Sequence, residues 1–257
     1  MSRPASQAPA QDRVCAMVVD PPAAGAWNMA VDEALMEHVA RTQGAWLRFY
    51  AWETPTLSLG YFQPYAERAS HTASAPAVVV RRATGGGAIL HHHEITYCLA
   101  IHEGWHGERR SEWLYGEVHQ ALIDALRSFG VEARLHAPTS SRSADEPFLC
   151  FERRGGGDVI LGRQKIAGSA QRRRHGATLQ HGSLLLRASP LAPELLGVEE
   201  LAGRSIPPEE LVEFWSAGVA QRLKAEPRPA TFDKSVVALA RSLADEKYGV
   251  PSWTNRR

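Results

Sequence analysis

Residues 85–87 are three consecutive glycines, within RRATGGGAILHHHEITY (81–97), and the chain beyond them alternates as a strand. Ile95, Tyr97, Leu99 and Ile101 fall on one face of that strand. This order constrains the fold more than any other stretch. A dinucleotide-binding crossover needs G-x-G-x-x-G opening into a helix, and a P-loop needs a closing Gly-Lys-Ser/Thr; RRATGGGAIL supplies neither. Three glycines in a row cost backbone entropy on folding. A two-residue hairpin needs one or two, so two explanations stay open: a tight turn, or a ligand lying against the main chain.

The rest of the chain interleaves strands and helices. VCAMVV (14–19), AWLRFYAW (45–52), TLSLGYF (56–62), VVVRR (78–82) and ATLQHGSLLL (177–186) read as strands, and DVILGRQKIAGSA (158–170) as a hairpin. A helix is expected from Gly25, with Asn28 as its cap, Asp32 and Glu33 at its positive end, and Val31, Leu35 and Val39 on one face. A second runs from Ser111 to Phe129 on the stripe Leu114, Val118, Leu122, Ala125 and Phe129, with Gly130 as its stop. Leu211, Trp215, Val219 and Leu223 mark a third, and Val236, Leu239 and Leu243 a fourth. Residues 137–157 read as an unpatterned loop. The mixture predicts an α+β fold with a mixed, largely antiparallel sheet flanked by helices. Residues 1–12 are expected to be a flexible tail and 13–257 a single domain.

Composition narrows the partners. With 29 basic and 28 acidic residues the net charge is +1, which argues against nucleic acid as a partner. No apolar run approaches a membrane span, and the opening residues lack the apolar core of a secretory signal. Cys15, Cys98 and Cys150 are widely spaced, as in a reducing compartment, so a cytoplasmic location is expected. His91 and His93 alternate with His92 along a strand and cannot easily share one ion, so no metal site is expected.

Two residues suggest chemistry. Lys165 precedes Ile-Ala-Gly-Ser-Ala, small residues that let a ligand lie against a strand, where an ammonium can stabilise a carbonyl or phosphate oxygen. The plain alternative is a solvated hairpin lysine. Cys150 lies in a loop ahead of Arg153 and Arg154, and neighbouring cations favour a thiolate. Cys15 and Cys98 lie in apolar strands, where cysteine is usually inert.

RRATGGGAILHHHEITY and GRQKIAGSAQRRRHGATLQHGSLLL (162–186), preceded by GAWNMAVDEALM and PTLSLGYFQ, resemble the ordered motif blocks of the lipoate–protein ligase and octanoyltransferase family. The similarity spans roughly residues 25–190. It implies a fold like that of biotin and lipoate ligases and a pocket for an eight-carbon acyl or lipoyl chain. Carried over by position, Arg82, Thr84, Gly85, Gly86, Gly87 and His91 border the acyl group. Lys165 would meet its carbonyl, and Gly168, Ser169 and His181 would complete the wall. The glycines then admit the acyl chain.

The family contains ATP-dependent ligases and cysteine-dependent transferases. Cys150-Phe151, upstream of the lysine block, is similar to the cysteine position of the transferases. Only about seventy residues follow the last motif, which counts against a ligase carrying its own adenylation-supporting domain. The resemblance therefore implies an octanoyltransferase with Cys150 as nucleophile and no required cofactor. Its donor would be octanoyl-acyl carrier protein. Its acceptor would be a lipoyl domain of a 2-oxoacid dehydrogenase or the glycine-cleavage protein. The alternatives are a lipoate ligase using ATP and magnesium, an octanoyl amidotransferase between lipoyl-type domains, and a non-catalytic lipoyl-domain binder. The Arg172–Arg174 run is expected to be a solvated face, or a dock for an acidic carrier protein.

Overall fold

The structure, a computed structural model, describes residues 13–105, 111–137 and 147–257. The expected tail at 1–12 and residues 138–146 of the expected loop lie outside the described residues.

The elements follow in the order β1 (Val14–Val19), α1 (Gly25–Thr42), β2 (Ala45–Tyr50), β3 (Thr56–Leu59), β4 (Val78–Arg81), β5 (Ile89–His91) and β6 (Glu94–His102). Then come α2 (Ser111–Ser128), β7 (Arg134–Leu135), β8 (Val159–Leu161), β9 (Gln164–Arg174) and β10 (Ala177–Leu185). The chain continues through α3 (Val198–Ala202), α4 (Pro208–Leu223), β11 (Glu226–Pro229), α5 (Lys234–Leu243) and α6 (Pro251–Thr254).

An eight-stranded sheet has the order β11-β1-β2-β6-β10-β9-β8-β7. β1 runs parallel to β11 and β2, and the other neighbouring pairs are antiparallel. A smaller sheet, β4-β3-β5, carries the glycine loop between β4 and β5. Ile95, Tyr97, Leu99 and Ile101 pack with the stripes of α2 and α4. Cys98 and Ala100, on the other face of β6, pack with α1 and α5. Both faces of β6 are thus buried, and the large sheet forms the middle layer between two helix pairs.

Two expectations need correction. α1 begins one turn earlier than Asn28: Ala24 is its N-cap, and the Asn28 amide donates to Ala23 O and Ala51 O. Asp32 and Glu33 therefore sit about two turns inside the helix. Asp32 is buried and accepts from Arg48 at 3.0 Å and from the Tyr50 hydroxyl at 2.9 Å. The strand β11, Glu-Pro-Arg-Pro, was hidden by its prolines, which cannot donate to a ladder. It escapes that penalty by lying at the sheet edge beside β1.

Candidate active site

The glycine loop and the cysteine segment are joined through their backbones. Ala88 N donates to Phe148 O at 3.1 Å, and Cys150 N donates to Ala88 O at 2.7 Å. Cys150 then opens a short 3-10 turn and is partly exposed, whereas Cys15 and Cys98 are buried. Burial pushes the Cys15 thiol up to about 12, and raises Cys98 further, helped by Asp32.

Packing accounts for two of the three glycines. Gly86 has φ +94°, which disfavours a side chain. A β-carbon on Gly87 would fall 3.1 Å from Phe148 O and 3.0 Å from the Arg153 guanidinium carbon. Gly85 is less confined, with the Phe62 ring 3.9 Å from where its β-carbon would be. Of the three, Gly87 alone is bare because the cysteine segment lies against it.

Across this segment, β9 delivers Lys165. Its ammonium stands 3.7 Å from Cys150 Sγ and 3.4 Å from Cys150 O, and pairs with Asp158 Oδ2 at 2.9 Å. The Arg/Gly-rich stretch at 152–157 ends in the turn that sets Asp158 in place: Gly157 has φ +89°, and Gly155 N donates to Asp158 Oδ2 at 2.7 Å. The Tyr115 hydroxyl donates to Asp158 Oδ1 at 2.9 Å. A β-carbon on Gly168 would lie 2.5 Å from Lys165 Cε, so that glycine makes room for the lysine.

Behind Lys165, the Ser169 hydroxyl lies 2.7 Å from His119 Nε2 and 2.6 Å from the Tyr97 hydroxyl. His119 Nδ1 donates to Gly157 O at 2.7 Å, which leaves Nε2 to accept from Ser169. Burial pushes His119 down to about 4, so it is neutral. Asp158, Tyr115 and His119 escaped the sequence reading. Tyr115 and His119 are spaced i, i+4 on α2, beside rather than on its apolar stripe, a pattern that marks a second, polar contact face.

A narrow cavity lies beside the loop, with Met29, Ile89, Ala170, Arg82, His91 and His181 among its walls. Its polar residues are bonded within the protein, except that the buried Arg82 Nε has no partner. His91 Nε2 meets Ser58 Oγ at 2.7 Å, and its Nδ1 meets Glu94 Oε1 at 2.6 Å. His181 Nδ1 meets Asp32 Oδ2 at 2.8 Å, and its Nε2 meets Thr84 Oγ1 at 2.6 Å. Arg82 donates to Gly85 O and Gly87 O at 2.8 and 2.7 Å. What remains exposed inside is apolar surface, but the cavity is only about 20 Å³, so its walls would have to part to admit a hydrocarbon chain.

Arg82 has no carboxylate partner among the described residues. Burial lowers its guanidinium to about 10, opposed by negative charge on Cys150. Arg82 and Lys165 are the cations on the two sides of the Cys150 segment. The structure thus brings Cys150, Lys165 and the 82–87 loop together, and His91 and His181 into the cavity wall. Thr84, Gly85, Gly86, Gly87, Gly168 and Ser169 do not line that cavity; Gly168 makes room for Lys165, and Ser169 bonds His119. Arg153 Nε donates to Pro147 O at 2.6 Å, and Arg174 pairs with Glu33 and Glu37 at the surface. Among the described residues no helix is long and apolar enough to cross a membrane.

Residues 24–238 match the family described as the lipoyl protein ligase A/B catalytic domain. The chain is 32% identical over 257 residues to octanoyltransferase LipM of Kyrpidia tusciae, covering 86% of this chain and 93% of the relative. It is also 32% identical over 261 residues to octanoyltransferase LipM of Symbiobacterium thermophilum, covering 91% and 95%. Among solved structures, lipoate-protein ligase A bound with ATP superposes with a TM-score of 0.74 at 22% identity, over 95% of this chain and 98% of that one. A bipartite lipoate protein ligase from Thermoplasma acidophilum gives 0.74 at 20% identity, over 95% and 96%. Motif order, fold and match over most of its length agree: the chain belongs to the lipoyl protein ligase A/B catalytic domain family.

Proposed function

We propose that the protein transfers an octanoyl group to a lysine of a lipoyl domain through a thioester on Cys150. The observation that carries this is the Lys165 ammonium 3.7 Å from the Cys150 sulfur, beside the loop whose Arg82 lines a small apolar cavity. The relatives named octanoyltransferase support the acyl group.

The chemistry balances without a nucleotide. The Cys150 thiolate attacks the carbonyl carbon of octanoyl-acyl carrier protein, and the carrier leaves as its thiolate and takes up a proton. One thioester replaces another. The lysine amine of the acceptor, a lipoyl domain of a 2-oxoacid dehydrogenase or the glycine-cleavage protein, then attacks the enzyme thioester. An amide forms, the sulfur leaves as thiolate, and the amine gives up one proton. In both steps negative charge develops on the carbonyl oxygen, and the Lys165 ammonium is the cation positioned to receive it.

The test is intact mass under denaturing conditions after incubation with octanoyl-acyl carrier protein. A hydroxylamine-labile octanoyl adduct, lost in Cys150→Ser, is expected. An acyl adenylate formed with ATP and no thiol adduct would make the protein a ligase. Loading only from an octanoylated lipoyl-type domain would make it an amidotransferase. Neither adduct nor adenylate, with lipoyl-domain binding alone, would make it a non-catalytic binder.

A further inference from the structure

The Tyr61–Phe62 turn stands at the edge of the glycine loop. Tyr61 N donates to Thr84 O at 2.8 Å. The Gln63 amide reaches Phe148 O at 3.4 Å, two residues before Cys150. Phe62 is 67% exposed, an uncommon state for a large apolar ring beside a candidate active site.

Three arginines from distant parts of the chain converge here. The guanidinium carbons of Arg172 and Arg256 lie 5.4 and 4.4 Å from the Tyr61 ring centre. That of Arg257 lies 5.3 Å from the Phe62 ring centre. None of the three pairs with a carboxylate among the described residues, whereas Arg174 on the same strand as Arg172 has two. The Arg256 hydrogen bond, with the charge of all three arginines, draws the half-buried Tyr61 phenol below its usual range. An exposed Phe62 beside a half-buried Tyr61, with three arginines that lack carboxylate partners around the pair, has the composition of an interface anchor awaiting an acidic partner.

The reach of the reacting groups selects the partner. A lysine side chain spans only about 6 Å from Cα to amine. To reach a thioester on Cys150, the acceptor's main chain must settle on the residues that border the loop. A donor bearing its thioester on a long prosthetic arm has no such requirement. We propose that the Tyr61–Phe62 turn, with Arg172, Arg256 and Arg257, docks the acceptor: an acidic protein domain presenting its lysine at a turn. This rests on the reading that Cys150 carries the acyl group.

The test separates the half-reactions. Cys150 is loaded from the octanoyl thioester of N-acetylcysteamine, and transfer is followed to a lipoyl domain whose lysine-bearing turn is flanked by carboxylates. Variants are Phe62→Ala and the double change Arg256→Glu with Arg257→Glu. Loading from the small thioester should stay within about twofold of wild type. Transfer at subsaturating acceptor should fall about tenfold, mainly through KM, and the charge-reversed protein should lose the salt sensitivity of wild type. Unchanged transfer overturns the proposal. So does a defect confined to loading from acyl carrier protein, which would assign the surface to the donor. If wild type acquires no octanoyl group on Cys150, the proposed reaction fails instead. Titration calorimetry with the lipoyl domain then decides the docking surface alone, with equal affinities for wild type and variants overturning it.

Discussion

Lys165 holds its position because residue 168 has no side chain. A β-carbon there would lie 2.5 Å from Lys165 Cε and 2.8 Å from Nζ. Gly168 does not occupy the left-handed region, so alanine fits the strand, and the flexible lysine tip is what must yield. Restoring ordinary contact near 3.5 Å requires a shift of about 1 Å. With an effective dielectric of about 20, moving the ammonium from 3.7 Å to about 4.7 Å from the thiolate weakens their attraction by about 1 kcal/mol. That alone is about fivefold in rate. Misdirection of the donor adds to it, and a displacement of this size costs up to about 100-fold. Gly168→Ala should therefore slow single-turnover octanoylation of Cys150 by about 5- to 100-fold, measured by quenched intact mass. Its melting temperature should stay within a few degrees of wild type. Loading at the wild-type rate would refute the claim that the ammonium's placement governs the step.

Iodoacetamide at pH 8 should modify Cys150 alone in the folded protein and all three cysteines after denaturation, since burial holds Cys15 and Cys98 protonated; peptide mapping that finds Cys15 or Cys98 alkylated as fast as Cys150 would contradict this. Buried His119 is neutral in the fold with its pKa near 4, below the unfolded value of 6.5, so the unfolded chain binds the extra proton between these values. Its contribution is fully present above pH 6.5 and lost as pH falls towards 4, about 3 kcal/mol in all; urea midpoints at pH 7 and 5 should diverge less in His119→Gln than in wild type. Gly60→Ala would place a β-carbon against the Gly86 carbonyl, a backbone atom that cannot swing aside, and should cost about 1–3 kcal/mol in urea unfolding.

Much of this arrangement was legible in the residues. Period-two and period-3.6 patterns located β6, α2 and α4, because each sets an apolar face against one core and burial enforces the period. β11 was not legible, since its prolines deny the ladder and only its edge position permits it. Asn28 was misplaced because a capping residue type served an inner contact to Ala23 O and Ala51 O instead. At the site, Cys150 and Lys165 carried signals in their own neighbourhoods. Asp158 did not, because it follows a glycine run that reads as loop and its partner Tyr115 lies on a helix 43 positions away. The triple glycine is instructive in a different way. Its bareness suggested room for a ligand, and the structure assigns Gly86 to backbone conformation and Gly87 to the approach of Phe148 and Arg153. Gly87 is approached by the protein's own chain, while Gly85 meets only the Phe62 ring.

That arrangement bears on how charge is handled through the proposed cycle. Lys165 Nζ lies between the Cys150 sulfur at 3.7 Å and the Asp158 carboxylate at 2.9 Å. Acylation removes the charge on sulfur. An ammonium paired only with the thiolate would then be a buried ion without a partner, and its cheapest response would be to lose its proton or swing to water. Asp158, itself held by Gly155 N and the Tyr115 hydroxyl, keeps a counter-charge in place whether or not the sulfur is ionised. In the proposed cycle Asp158 would thus hold the Lys165 nitrogen beside the thioester when the acceptor amine attacks, the moment at which the carbonyl oxygen gains negative charge. If the proposed cycle holds, a carboxylate fixed by a turn and a tyrosine would make the same lysine usable in both half-reactions, which a thiolate–ammonium pair alone would not.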